Sequence, residues 1–159
     1  TLGDIPIRKY FNSSTSDPKH RTSPLIIYFH GGGFVMGDLE SHDLVCRHLC
    51  KEAKATIIAV DYKLAPEHKF PAPVIDTKDA ITKILEGAEE FNFDPNKVIL
   101  CGDSAGGTLA TVGTITSGIW NGTALTDANV SDTLTSSIFI GSFLCLKSNK
   151  SLRLIGGRL

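Results

Sequence analysis

Val98-Ile-Leu-Cys-Gly-Asp-Ser-Ala-Gly-Gly107 is the stretch that decides the fold of this 159-residue chain. It begins as a short apolar run, the pattern of a strand covered on both faces. Gly102-x-Ser104-x-Gly106 falls where that strand ends and a predicted helix, Ser104–Ser117, begins. A turn this sharp forces its central residue into a strained backbone conformation and needs small neighbours so that strand and helix can approach. It lifts the Ser104 hydroxyl above the sheet edge and aims the amino end of the helix at the same point. An oxyanion is the species such an end stabilises. The competing reading, a Gly/Ser turn without chemistry, is weakened by the strand before it and the helix after it.

Working outward, the chain alternates. Ile5–Phe11 has strand-like alternation and runs into a Ser/Thr/Asp/Pro turn at 13–18. Pro24–His30 and Ala55–Asp61 are buried-strand patterns, as is Lys97–Cys101. Between them, Ser41–Lys54 and Val74–Phe91 show helical spacing, with Ser41 and Asp43 placing oxygen acceptors near the start of the first. Pro66, Pro71 and Pro73 make 63–73 an irregular loop. Ser136–Leu146 is a candidate for one further strand. Strand and helix in strict alternation force parallel pairing, because each helix must cross back over the sheet. The expectation is an α/β fold, a mostly parallel sheet with helices on both faces.

A second motif, His30-Gly31-Gly32-Gly33, stops the strand at Pro24–His30. Consecutive glycines leave backbone N–H groups bare and able to converge on one point, as an oxyanion hole requires. The other readings are a flexible turn or a phosphate-binding loop. No Gly-Lys-Ser/Thr follows, so a Walker A loop is excluded, and the dinucleotide fingerprint spacing fits poorly.

Taken together the motifs resemble the α/β-hydrolase esterases and lipases, and more closely the hormone-sensitive-lipase-like carboxylesterases. The residues that carry the resemblance are His30-Gly-Gly-Gly-Phe-Val-Met-Gly-Asp38, Asp61-Tyr-Lys-Leu-Ala-Pro-Glu-His68 with Phe70-Pro-Ala72, and Gly102-Asp-Ser-Ala-Gly-Gly107. It covers about residues 5–112. The resemblance implies that Ser104 is the nucleophile and that the N–H groups of Gly32, Gly33 and Ala105 form the oxyanion hole. It makes His30, Gly31, Gly102, Asp103 and Gly106 supports of the two motifs, with His30 orienting the glycine loop rather than serving as a base. Asp61, Tyr62, Pro66 and Glu67 would brace the surrounding loops. Neither a metal nor an organic cofactor is implied, and the partner expected is a small-molecule ester.

A serine hydroxyl needs a base to take its proton, and that base needs an orienting carboxylate. In this fold the chain order is Ser, then Asp or Glu, then His. Yet His20, His30, His42, His48 and His68 all precede Ser104. Asp127 and Asp132 follow it too soon to be assigned the acid. The resemblance also implies amino-terminal cap helices, for which a glycine loop at residue 30 leaves no room. The expectation is therefore a truncated hydrolase: residues 1–112 as the amino-terminal part of a catalytic domain, and residues 113–159 as a divergent tail. The alternatives are a non-catalytic ligand-binding relative and an inactive truncated product. Stopping near the middle of the sheet would leave a central strand as an edge, and poor solubility follows from that.

Composition agrees with the break. Of 33 charged residues only six fall after residue 107: Asp127, Asp132, Lys147, Lys150, Arg153 and Arg158. A net charge of -1 gives no electrostatic reason for a nucleic-acid or anionic-membrane partner. No apolar run is long enough to span a membrane. No basic, apolar leader follows Thr1, which points to the cytoplasm, although an opening without Met fits a piece of a longer protein. Cys46, Cys50, Cys101 and Cys145 read as reduced, buried thiols. His42, Cys46 and Cys50 share helical spacing, but the outer two lie about 12 Å apart along an axis, too far to share an ion. A buried helix face is expected there. Asn12, Asn121, Asn129 and Asn149 open glycosylation-type triplets, ascribed to composition.

Overall fold

The computed structural model describes residues 1–11, 23–114, 138–140 and 143–147. The order is β1 (Ile7–Tyr10), β2 (Leu25–Phe29), α1 (Asp43–Ala53), β3 (Thr56–Val60), α2 (Ala72–Glu86), α3 (Ala88–Phe91), β4 (Val98–Asp103), α4 (Ala105–Thr114), β5 (Ile138–Ile140) and β6 (Phe143–Lys147). The turn at 13–18, Asp127, Asp132, the four Asn triplets and the end of the third predicted helix lie outside the described residues.

The strands form one sheet in the order β1-β3-β2-β4-β6-β5. Its centre is parallel: β2 pairs with β3 from Leu25↔Thr56 to Phe29↔Val60, and with β4 from Leu25↔Val98 to Phe29↔Gly102. The α1 crossover between β2 and β3 makes that pairing possible. Strand β1 adds antiparallel to β3. The expected single strand over 136–146 is instead two short strands, β5 and β6, antiparallel to each other, and β6 runs antiparallel to β4. β4 is thus paired on both sides, and the exposed central edge predicted from the sequence does not occur.

The apolar runs are continuous because both sheet faces are covered. Leu25, Ile27, Phe29, Ile58, Val60, Val98 and Leu100 pack on one face with Ala80, Ile81 and Ile84 of α2 and Leu109 and Ala110 of α4. Ile26, Tyr28, Ile57, Ala59 and Cys101 face the other way, onto Cys46 and Cys50 of α1. The predicted helix over 74–91 divides at Gly87, which separates α2 from α3. Cys46 and Cys50 are free, buried thiols as expected, and burial pushes Cys46 up to about 12. Cys101 departs from the expectation because it is disulfide-bonded.

Candidate active site

β2 and β4 are neighbours and end at the same level, with Phe29 opposite Gly102 in the register. The two glycine-containing motifs that follow these strands therefore emerge side by side. Ser104 joins β4 to α4 with φ 49°, the left-handed conformation that the tight turn demands, and it is exposed. Ala105 is the first residue of α4. Helix and strand come together only because Gly102 and Gly106 lack side chains. A Cβ on Gly106 would stand 1.9 Å from the Phe29 carbonyl oxygen and 2.6 Å from that of His30, and one on Gly102 would stand 2.4 Å from the Gly106 carbonyl carbon.

In the loop after β2, Gly32 and Gly33 have φ of 119° and 63°. The Gly32 carbonyl accepts the N–H groups of Val35 and Met36, which closes the loop into a tight turn. Among the described residues the N–H groups of Gly32 and Gly33 donate to no other group, so both are available. Phe34 continues in the left-handed region at φ 65°, and its carbonyl accepts the Ala65 N–H at 2.8 Å, tying the loop to the segment after β3.

Asp103 joins the two motifs. Its Oδ1 accepts the Gly31 N–H at 2.8 Å and the Tyr28 O–H at 2.7 Å. One carboxylate, adjacent in sequence to Ser104, thereby fixes the residue that precedes Gly32. Burial, reinforced by the Asp103 hydrogen bond, holds the Tyr28 phenol well above its ordinary range, so it remains a donor.

His30 is 2% exposed and its Nδ1 lies 2.8 Å from the Gly31 carbonyl. Its ring stacks on Tyr62, with centroids 4.3 Å apart, and the Tyr62 hydroxyl donates to the His30 carbonyl at 2.5 Å. Burial pushes the imidazole below its usual value; Asp61, 3.9 Å from Nε2, offsets this in part, and burial in turn raises Asp61. His30 is thus built into the loop. Of Pro66 and Glu67, named as braces, both are exposed.

Among the described residues no histidine or carboxylate hydrogen-bonds the Ser104 hydroxyl. His48 and His68 are exposed elsewhere, on α1 and in the loop after β3. Two residues of the constellation were not singled out for it by sequence reasoning. Tyr28 looked like core because it sits inside an apolar strand. His42 was grouped with Cys46 and Cys50, but it stands one residue before α1 and its Nε2 lies 3.5 Å from Asp103 Oδ1.

Comparison with known proteins places this geometry. Residues 26–124 match the family model described as alpha/beta hydrolase fold, and the chain belongs to that family. Within it, the chain is 45% identical over 110 residues to the esterase LipI of Mycobacterium tuberculosis, covering 69% of this chain and 34% of that protein. It is 42% identical over 114 residues to human arylacetamide deacetylase-like 3, covering 70% and 26%. A hyperthermophilic esterase from Pyrobaculum calidifontis superposes with a TM-score of 0.65 at 43% identity, over 70% of this chain and 34% of that one. The resemblance to carboxylesterases read from the motifs is therefore correct, as is the α/β-hydrolase class. The chain spans about a quarter to a third of the length of these relatives. Among the described residues no helix is long and apolar enough to cross a membrane.

Proposed function

We propose that the whole protein is a carboxylic ester hydrolase working through Ser104 and an acyl-enzyme. The observation that carries this reading is the exposed Ser104 in a left-handed turn, linked through Asp103 and the Gly31 N–H to a loop whose next two N–H groups have no acceptor among the described residues. Ser104 Oγ attacks the ester carbonyl carbon. The electron pair of the C=O bond moves onto oxygen, and the N–H groups of Gly32, Gly33 and Ala105 receive that oxyanion. Collapse expels the alcohol and leaves the acyl group on Ser104; water then releases the acid. His30 and Gly31 hold the loop, and Asp103, Gly102 and Gly106 hold the elbow against it.

The proton acceptor and its carboxylate come from a part of the whole protein outside this chain, since no histidine of the chain follows Ser104. On this reading residues 1–112 are the amino-terminal part of the catalytic domain, and 113–159 diverge from it. The substrate is a small-molecule ester. Support comes from the names of relatives, among them an ethyl acetate hydrolase of Pseudomonas putida, 39% identical over 108 residues. A chain of net charge -1 offers nothing to attract nucleic acid.

The test is hydrolysis of p-nitrophenyl acetate and butyrate by the whole protein, its Ser104→Ala variant and this chain alone. The whole protein turns over, and Ser104→Ala loses at least about 10³-fold in kcat. This chain alone is nearly inactive, because it lacks the base. A whole protein without ester turnover, or a Ser104→Ala variant with undiminished turnover, overturns the reading.

A further inference from the structure

We infer that His42 is a positioning residue for the oxyanion hole, acting through Asp103 on the Gly31 amide; this rests on the esterase reading above. The Asp103 side chain is still 19% exposed, and His42 stands beside it with its Nε2 3.5 Å from Oδ1. That oxygen already accepts two short hydrogen bonds, from Tyr28 on β2 and from Gly31 at the start of the glycine loop. The imidazole Nε2–H is a third donor, and at 3.5 Å it is too far for a strong hydrogen bond. It supplies electrostatic attraction from the residue that precedes α1.

The imidazole is itself held. Its Nδ1 lies 3.0 Å from Ser41 Oγ, which accepts the Asp38 N–H at 2.9 Å and has one proton to give, either to the Asp38 carbonyl at 3.0 Å or to Nδ1. With the Ser41 hydroxyl proton directed to Nδ1, the neutral ring carries its own proton on Nε2, facing Asp103. The ring also borders His30, with centroids 5.5 Å apart, and Tyr28, at 6.2 Å. His42 thus touches the acceptor of the Gly31 N–H, the residue that orients the loop, and the phenol that shares the acceptor.

The consequence lies in chain connectivity. Asp103 is bonded to Ser104 and Gly31 to Gly32, so drift of the carboxylate displaces the nucleophile and the first oxyanion donor relative to each other. The ground-state ester makes little use of that alignment, whereas the tetrahedral oxyanion depends on it. Loss of His42 therefore lowers kcat and kcat/KM together, the signature of an interaction realised in the transition state.

The experiment measures kcat, KM and Tm for the whole protein with p-nitrophenyl butyrate, in the wild type, His42→Leu, His42→Gln, Asp103→Asn and the His42→Leu/Asp103→Asn double variant. His42→Leu lowers kcat about tenfold, short of the 10²–10³-fold that follows removal of an oxyanion donor itself, with KM within about twofold. His42→Gln, which keeps an N–H donor, recovers most of the loss. His42→Leu adds almost nothing in the Asp103→Asn background, because the carboxylate through which it acts is gone. An unchanged kcat in His42→Leu, a His42→Gln variant that folds but is as impaired as His42→Leu, or additive losses in the double variant would each overturn the inference while leaving Ser104 catalysis intact. A wild type without ester turnover overturns both readings.

Discussion

Replacing Gly106 with alanine sets two physical effects against each other, and the structure decides the sign. Gly106 is the second residue of α4. On intrinsic propensity, alanine stabilises a helix by up to about 1 kcal/mol relative to glycine. The added Cβ, however, would stand 1.9 Å from the Phe29 carbonyl oxygen, 2.6 Å from its carbonyl carbon and 2.6 Å from the His30 oxygen. These are backbone atoms at the end of β2, inside a sheet paired on both sides, so no side chain can swing away. Reaching ordinary contact requires α4 and β2 to separate by on the order of 1.5 Å. Overpacking of this kind costs roughly 1–3 kcal/mol and occasionally more, so a net loss of about 2–3 kcal/mol is expected. For a chain of this size that is a fall in Tm of about 6–10 °C. Urea and thermal titrations of this chain by circular dichroism measure it. Gly33→Ala is the control: nothing lies within 4 Å of its Cβ, and only the left-handed φ of 63° opposes it, at about 1 kcal/mol. A Gly106→Ala variant that melts at or above the wild type would refute the close approach of helix and strand on which the site is built.

Two further outcomes test the surroundings. Thr77 is 1% exposed and its Oγ1 finds no hydrogen-bond partner among the described residues, so Thr77→Val, which replaces an unsatisfied hydroxyl with a methyl, raises stability by up to about 1 kcal/mol in the same titrations. His30 links stability to pH: burial lowers its folded value below the ordinary 6.5, so its contribution is complete above that pH. As pH falls toward the folded value, the unfolded chain takes up a proton that the folded chain resists, and stability drops by up to about 1.4 kcal/mol per pH unit. His30→Gln removes this contribution, and a His30→Gln variant whose stability declines as steeply as the wild type between about pH 6.5 and 5.5 would contradict it.

The parallel centre of the sheet was legible because its signals are local. Residues 25–29, 57–60 and 98–101 are apolar without interruption, and a helix between each pair leaves parallel pairing as the available solution. The stretch over 136–146 was not, because an apolar run does not say whether it is one strand or two, nor which neighbour it joins; pairing antiparallel to β4 depends on partners remote in sequence. Ser104 could be found from its turn alone. His42 could not, since helical spacing aligned it with Cys46 and Cys50, which are indeed buried. The spacing argument failed by one residue: α1 begins at Asp43, and a residue just outside a helix need not point along the face that the helix buries.

The same distinction between local and distant causes explains why the two glycine motifs belong together. Gly32 and Gly33 are required by their own backbone, whose positive φ few side chains tolerate. Gly31 and Gly106 are required by the other motif. A Cβ on Gly31 would fall 2.1 Å from Asp103 Oδ2, and one on Gly106 would fall on the carbonyls of Phe29 and His30. Each motif thus carries a glycine whose reason lies in its counterpart, and neither turn read alone accounts for it. Enlarging either residue forces the elbow and the loop apart, with the Asp103–Gly31 hydrogen bond that joins them lying in the gap that must open. The proposed alignment of Ser104 with the Gly32 and Gly33 N–H groups is therefore a property of the pair of motifs, set by contacts between them rather than by either loop's own conformation.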